Sequence, residues 1–363
     1  MQDVRALLMT QTSWEPLVLK TLSLFSGAGG LDLGWSRVMG EVAVACEMNT
    51  HAAATLARAM PKCEVHCRDV MGLLPELSPG DFEALIGGPP CQGYSVAGKM
   101  DPNDPRSRHV ASFMTAAERI RPRVLLMENV DALAALAKWR GALDDVMEWA
   151  RRLGYGVHVE ILNARDFGVP QNRKRMFLFG LLGSSDERVS EACKRVLAEV
   201  ARPGGTVREV LTRFGPAGTE ANPHTCTALI TYARNPILRP SAYAGMMFNG
   251  AGRPLRLDAP SPTLAASAGG NKTHFVDEDE AFRGSASFVE AYHAELRGGA
   301  PSRTGLLPAR LRRLTLRESA FIQSFPDDYP FMGGMISTYR QIGNAVPPLL
   351  GQAVSECVRA MTA

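Results

Sequence analysis

Residues 17 to 31 read Leu17-Val18-Leu19-Lys20-Thr21-Leu22-Ser23-Leu24-Phe25-Ser26-Gly27-Ala28-Gly29-Gly30-Leu31. An apolar run suited to a strand breaks at three glycines and resumes as a segment that can open a helix. Strand, glycine turn and helix is the unit by which an open α/β sheet offers backbone amides to a nucleotide-like ligand. A glycine turn alone is weak, because helix–strand packing also demands one. The recurrence of the unit along the chain is what sets the fold class.

A second strand, Val42-Ala43-Val44-Ala45-Cys46, ends at Glu47, and a third, Cys63 to Arg68, ends at Asp69. An acid at the tip of the second strand suits two ribose hydroxyls, and one at the tip of the third can accept from an adenine amino group. Each acid singly is more often a helix cap. Spaced about twenty residues apart after the glycine turn, the three strand ends together favour an adenosine-containing ligand. Further strands follow at Ala84-Leu85-Ile86, Val124 to Met127, Val157 to Leu162 and Met176 to Gly180, with helical segments at Val110 to Ile120 and Trp139 to Leu153. This rhythm predicts an α/β fold with a doubly wound, mostly parallel sheet.

After the fourth strand comes Gly87-Gly88-Pro89-Pro90-Cys91-Gln92-Gly93-Tyr94-Ser95. Glycines relieve crowding and prolines fix φ, so Cys91 is carried on a stiff turn at the carboxyl end of a strand, where such sheets place their chemistry. A reactive thiol needs nearby cations to stabilise its thiolate, and Lys99, Arg106 and Arg108 follow. Asp101 to Arg108, with two prolines and no apolar period, reads as a candidate lid. Glu128, ending the next strand, can donate a proton if burial raises its pKa. Arg173 and Arg175 alternate on an extended segment and are expected to point the same way.

The chain has 363 residues, 45% hydrophobic and 21% charged, with a formal charge of +3. That describes a globular protein and is too weak a charge to announce a nucleic-acid binder. Between Arg202 and Arg256, however, seven arginines face two acids. Such a stretch can meet phosphates and guanine edges, or form a solvated face. Seven cysteines without framework spacing fit a reducing compartment, and Cys63, His66 and Cys67 lack the further ligands of a zinc site; no metal is expected. No signal-peptide pattern or long apolar run is present, so a cytoplasmic protein is expected.

Taken together, these motifs resemble the C5-cytosine DNA methyltransferases, block by block from about residue 22 to about residue 350. Phe25 to Gly30 resembles the first motif, Pro90-Cys91-Gln92 the catalytic loop, Glu128-Asn129-Val130 the Glu-Asn-Val motif, and Gln171, Arg173 and Arg175 the Gln-x-Arg-x-Arg motif. Arg253 with Pro260-Ser261-Pro262-Thr263-Leu264 is similar to the ninth motif, and Ile342 to Pro348 to the tenth.

The resemblance implies the S-adenosylmethionine-dependent methyltransferase fold. It further implies methyl transfer to C5 of a flipped-out cytosine in duplex DNA through a covalent Cys91–C6 adduct, with S-adenosylhomocysteine as product. Cys91, Glu128, Arg173 and Arg175 would be catalytic. Phe25, Ser26, Gly27, Gly29, Gly30, Glu47, Met48, Asp69, Val70, Pro89, Asn344 and Val346 would hold the cofactor. Pro90, Gln92, Ser95, Gln171, Arg234, Arg239 and Arg253 would meet DNA. Tyr94 stands where many members of that family have Phe, and Met48 follows Glu47 where an aromatic residue often stacks on adenine.

The catalytic domain is expected at 1–182 and 308–363, with a smaller, irregular target-recognition domain and hinge at 183–307. A monomer acting on double-stranded DNA, with a cognate restriction endonuclease as a further partner and no membrane, is the expected setting. The competing readings are a tRNA-methylating branch of the same family, a catalytically silent DNA-binding paralogue and a nicotinamide-dependent dehydrogenase. The last has no use for Pro-Pro-Cys followed by Glu-Asn-Val.

Overall fold

The computed structural model describes residues 18–90 and 108–363. In chain order its first part comprises β1 (Thr21–Leu24), α1 (Gly30–Met39), β2 (Val42–Cys46), α2 (Thr50–Ala59), β3 (Glu64–His66), α3 (Val70–Leu73), β4 (Ala84–Gly87), α4 (Arg108–Ile120) and β5 (Val124–Val130). There follow α5 (Ala132–Ala135), α6 (Arg140–Arg152), β6 (Tyr155–Asn163), β7 (Gln171–Asn172), β8 (Lys174–Leu182) and α7 (Asp186–Val200). Seven strands form one sheet in the order β3-β2-β1-β4-β5-β8-β6. Neighbours from β3 through β5 pair in parallel, whereas β8 runs antiparallel to both β5 and β6.

Alternation along the strands supplies two apolar faces, as a sheet covered on both sides requires. Ala84, Ile86, Val124 and Leu126 join α1, α7 and a late helix, α13 (Pro348–Thr362), on one face. Leu22, Leu24, Leu85, Leu125 and Met127 meet α3, α4 and α6 on the other. Burying each such side chain contributes roughly 1.5–3 kcal/mol. The closest helix contact is α1 on α13: a Cβ at Gly34 would collide with the backbone of Pro348, Gly351 and Gln352. Glycine there lets the two helices touch through main chain.

The remaining elements are α8 (Val207–Phe214), β9 (Tyr232–Ile237), β10 (Met246–Phe248), β11 (Ser261–Pro262), β12 (Phe275–Asp277), α9 (Glu278–Arg283), α10 (Phe288–Arg297), β13 (Leu311–Arg313), α11 (Leu316–Ile322) and α12 (Met335–Asn344). Strands here pair only in twos, β9 with β10 and β12 with β13, while β11 pairs in parallel with β7 of the first part. Two apolar clusters replace a sheet core. One gathers α8, α11 and residues 255–264, the other β9, β10 and α10 around Tyr232, Phe248, Phe275 and Tyr292.

Both expected edges of the smaller domain move. Helix α7 packs with the sheet through Val189, Cys193, Val196 and Leu197, so 186–200 belongs to the first part rather than to 183–307. Conversely, Leu311 packs with the β9–α10 cluster, and Leu314, Ala320, Ile322, Phe325, Ile342 and Ala345 pack with α8, beyond the expected edge at 307. Thr315 caps α11 in a reciprocal capping box with Glu318. Glu318 is fully buried and meets Arg312 through two hydrogen bonds of 2.8 Å, and Asn222 joins both Glu318 and Thr315. Among the described residues no helix is long and apolar enough to cross a membrane.

Candidate active site

The carboxyl ends of β1, β2 and β4 and the turns after them form one edge. At the glycine turn Phe25 has φ 56°, a left-handed conformation for a non-glycine residue, and its ring sits edge-on to His109 at 5.4 Å. Gly27 also has positive φ, and a Cβ built on it would meet nothing within 4 Å, so it faces open space. Gly29, at φ 81°, lies against Leu56, and Gly30 lies against the carbonyl oxygen of Val346. Side chains at these two positions would push the turn off α2 and the 345–347 segment. Ser26 Oγ donates to Ser23 Oγ at 2.9 Å, and Tyr329 Oη donates to the Ala28 carbonyl at 2.5 Å.

Glu47 closes the turn from β2. Its Oε2 accepts from Gly27 N at 2.8 Å and its Oε1 from Asn49 N at 2.7 Å, so two backbone amides fix the carboxylate. Asp69 caps α3, accepting from Met71 N at 2.9 Å. The capping alternative for Asp69 is therefore realised, with its second oxygen still available as an acceptor. Met48 is exposed and Val70 buried. From the other end of the chain, Val346 is buried and Asn344 exposed at the end of α12.

Across the edge of β4, Gly88 lies against Glu128: a Cβ there would stand 3.1 Å from Glu128 Oε2. Asn129 Nδ2 donates to the carbonyl of buried Pro89 at 3.3 Å. The root of the cysteine loop is thereby tied to the Glu-Asn-Val strand end, with Pro90 exposed beyond it. Cys91, Gln92, Tyr94, Ser95, Lys99, Arg106 and the expected lid all lie outside the described residues, apart from the backbone of Arg108. Glu128 pairs with Arg175 Nε at 2.9 Å, their side chains only 13% and 15% exposed. Burial pushes the Glu128 carboxyl above the ordinary glutamate range, and the Arg175 and Arg173 guanidinium groups reduce that shift without cancelling it. A carboxyl so held can give or share a proton at this strand end.

Arg173 and Arg175 both lie close enough to Glu128 to draw its carboxyl down, yet their hydrogen-bond partners differ. Arg173 is 1% exposed and donates to the carbonyl oxygens of Gly343 at 2.9 Å and Leu264 at 3.4 Å. It lies outside β8, in the irregular step between β7 and β8, so alternation does not govern it. Gln171, expected to meet DNA, is fully buried. Its Oε1 accepts from Leu264 N and its Nε2 donates to Gln323 Oε1, which places it inside the junction of the two parts. Both residues brace the site from behind, and nothing in a lone glutamine or arginine distinguishes that burial in sequence.

Arg234 and Arg239 are exposed and make no ion pair among the described residues. Arg253 is half-buried, its Nη1 donating to the Gly250 carbonyl. The arginine-rich stretch is less cationic than its count: Arg208 pairs with Asp258 and Arg213 with Asp327, each at 2.5 Å. Beside the Glu128–Arg175 pair opens a polar cavity of about 480 Å³, lined by Asp131, Asn163, Arg165, Asn172, Lys174, Arg175 and Thr263. Of these only Arg175 is an expected site residue; Asn172 and Lys174 fall at the unspecified positions of the Gln-x-Arg-x-Arg motif, and Thr263 within the stretch similar to the ninth motif.

The model of the C-5 cytosine-specific DNA methylase family matches residues 19–359. The chain is 30% identical to the type II methyltransferase M1.HphI of Haemophilus parahaemolyticus, over 94% of this chain and 87% of the relative. It is 29% identical to the type II methyltransferase M.DdeI of Desulfomicrobium norvegicum, over 93% and 88%. In fold it resembles the S. pombe Dnmt2 methyltransferase, with a TM-score of 0.61 at 15% identity, over 94% of this chain and 98% of the other.

Proposed function

The chain belongs to the C-5 cytosine-specific DNA methylase family, and from that membership we propose that it methylates C5 of one cytosine in a fixed duplex DNA sequence, using S-adenosylmethionine. The observation that carries this reading is the half-hidden Glu128–Arg175 pair seated under Gly88, at the root of the Pro-Pro-Cys loop. In support of the cofactor stand the open space beside left-handed Gly27, the Glu47 carboxylate fixed between two amides, and Asp69 at the next strand end. That cofactor supplies a methyl group on a sulfonium.

The target base is swung out of the duplex to reach the Cys91 loop. The Cys91 thiolate adds to C6, forming an S–C6 bond, while Glu128 gives a proton or strong hydrogen bond to N3. Arg175 holds the carboxyl in place. C5 so activated would take the methyl group as its bond to the sulfonium sulfur breaks, leaving S-adenosylhomocysteine; a solvent water would take the C5 proton as the C6–S bond breaks and Cys91 leaves as thiolate, and the N3 proton returns to Glu128. Arg234, Arg239 and Arg253 are proposed to face DNA, with the smaller region reading the sequence. As a type II modification enzyme, the protein would share its site with a cognate endonuclease.

Bisulfite sequencing of plasmid DNA from cells expressing the protein tests the function. Conversion-resistant cytosines in one fixed sequence are expected, and full conversion at every site would remove duplex DNA as the substrate. The cofactor site has its own check in Asp69→Ala. Loss of a hydrogen bond to the donor is expected to raise the dissociation constant for S-adenosylhomocysteine about 10-fold or more, by titration calorimetry. Asp69→Ser retains a capping residue for α3 yet should show the same loss; affinity at the wild-type level in both would take Asp69 out of the site.

A further inference from the structure

His274, the residue before β12, is 9% exposed and bonds through both ring nitrogens. An amide N–H only donates and a carbonyl only accepts, so these partners fix the tautomer. Nδ1 is bare and accepts from Arg253 N at 2.9 Å, while Nε2 carries the proton and donates to the Thr263 carbonyl at 3.5 Å. One ring thereby holds both ends of the stretch 253–263, which contains β11. The far end abuts the first part of the molecule, because β11 pairs with β7 and Leu264 N donates to Gln171 Oε1 at 3.1 Å. At the near end Phe275 N donates to the Arg253 carbonyl at 3.1 Å, so residues 274 and 275 grip both main-chain groups of Arg253. Among the described residues the Arg253 side chain makes one hydrogen bond, to the Gly250 carbonyl at 3.4 Å.

The surroundings of the ring favour its neutral form. Burial lowers its pKa from 6.5 against the pull of the Thr263 carbonyl, and the guanidinium groups of Arg253 and of Arg313 on β13 lower it further. Lys272 and Tyr339 line the same small void as the ring, and Cys226 hydrogen-bonds to the neighbouring Thr273. The acid of β12, Asp277, is taken by Arg310, and His274 makes no ion pair among the described residues. The ring is therefore neutral above 6.5, and takes its proton only as pH falls through the lower folded value. That proton has one nitrogen to go to. On Nδ1 it turns a donor toward the Arg253 amide 2.9 Å away, and a buried amide that loses its acceptor is destabilising.

We propose that neutral His274 is the positioning residue for Arg253 on duplex DNA, clamping the 253–263 stretch at both ends against the β7–β11 seam, and that protonation of the ring releases the Arg253 end. The proposal rests on the reading above in which Arg253 faces DNA. The ring touches neither base nor cofactor in this role. It acts through the main chain of Arg253, so the side chain beyond it is aimed only while Nδ1 is an acceptor.

The test is duplex affinity by fluorescence anisotropy, from about pH 8 to about pH 5 at fixed ionic strength, with a DNA duplex carrying the sequence mapped by bisulfite. Proteins gain positive charge as pH falls, so phosphate contacts alone would tighten binding. Wild type is expected to weaken instead, by about tenfold, as pH falls below 6.5. His274→Asn offers Arg253 N an acceptor that does not titrate; it should bind within about threefold of wild type at the alkaline end and show no acid weakening. His274→Leu, which offers no acceptor, should bind about tenfold more weakly across the whole range. S-adenosylhomocysteine affinity should be unchanged in both variants. A wild-type affinity that rises steadily toward acid pH, or an acid weakening that persists in His274→Asn, would overturn the proposal. Arg253→Gln with wild-type affinity at the alkaline end would take Arg253 off the DNA face and the proposal with it, leaving the methyltransferase reading intact. A wild-type protein with no duplex affinity at any pH would overturn the duplex reading itself.

Discussion

Cys91→Ala is expected to remove methyl transfer, by at least about four orders of magnitude, or about 5.4 kcal/mol of barrier, while duplex affinity stays near wild type. The argument is chemical first. C5 of cytosine is too weak a nucleophile until something adds at C6; among the described cysteines, exposed Cys67 follows β3 and is separated from β4 by β2 and β1. Cys46, the nearest cysteine by strand position, is buried, and burial pushes its thiol up to about 11. The structural part of the argument is the anchoring of the loop: Gly87 packs on the Leu24 carbonyl, Gly88 on Glu128, and Pro89 is held by Asn129. Affinity survives because phosphate contacts supply most of it. Cys91→Ser, whose hydroxyl stays protonated, should be equally inactive. Single-turnover transfer of labelled methyl beside anisotropy titration reads both quantities, and residual transfer within tenfold of wild type would end the thiolate mechanism.

Glu128→Gln should lower the rate by about 10²–10⁴-fold, the usual range for a lost general acid, with smaller changes in cofactor and duplex affinity. The pH profile carries more information than the rate. The folded carboxyl titrates above its ordinary 4.5, so the fraction able to donate a proton falls as pH rises through that higher value. The Cys91 thiolate fraction rises over the same direction. The wild-type profile is therefore bell-shaped, with its alkaline limb due to Glu128, and the glutamine variant should lose that limb. Stability carries the same sign. The unfolded chain ionises near 4.5 and the folded protein later, so the contribution of Glu128 is greatest below 4.5 and declines between 4.5 and the folded value. Denaturant melts across that window should show a shallower fall in Glu128→Gln, and an unaltered alkaline limb would assign it elsewhere.

The strand–glycine–helix start, the five parallel strands and the acids at their tips were legible because each is a local pattern: apolar run, glycine, carboxylate. The capping box of Thr315 and Glu318 is local in the same way, a threonine with a glutamate three residues on. Helix α7 was misassigned although Val189, Cys193, Val196 and Leu197 carry a helical period. A period tells that a helix has an apolar face but not which part of the molecule covers it. Gln171 and Arg173 show the converse limit. Their partners, Gln323, Leu264 and Gly343, lie 91 to 170 residues away, so a motif that fixes residue type does not reveal whether the side chain faces substrate or the protein interior. The cavity walls were illegible because β7 and β11 meet only in the folded chain.

The main-chain contact of α1 with α13 has a consequence for biogenesis. Residues 30–39 are synthesised early, yet the surface they require is made only after the whole of the smaller region has been translated. Contacts of such long sequence separation fold slowly. A nascent chain therefore carries an uncovered sheet face and an unsupported glycine turn for most of its synthesis, a period of exposure to chaperones and proteases during which the turn lacks the Val346 carbonyl that backs Gly30.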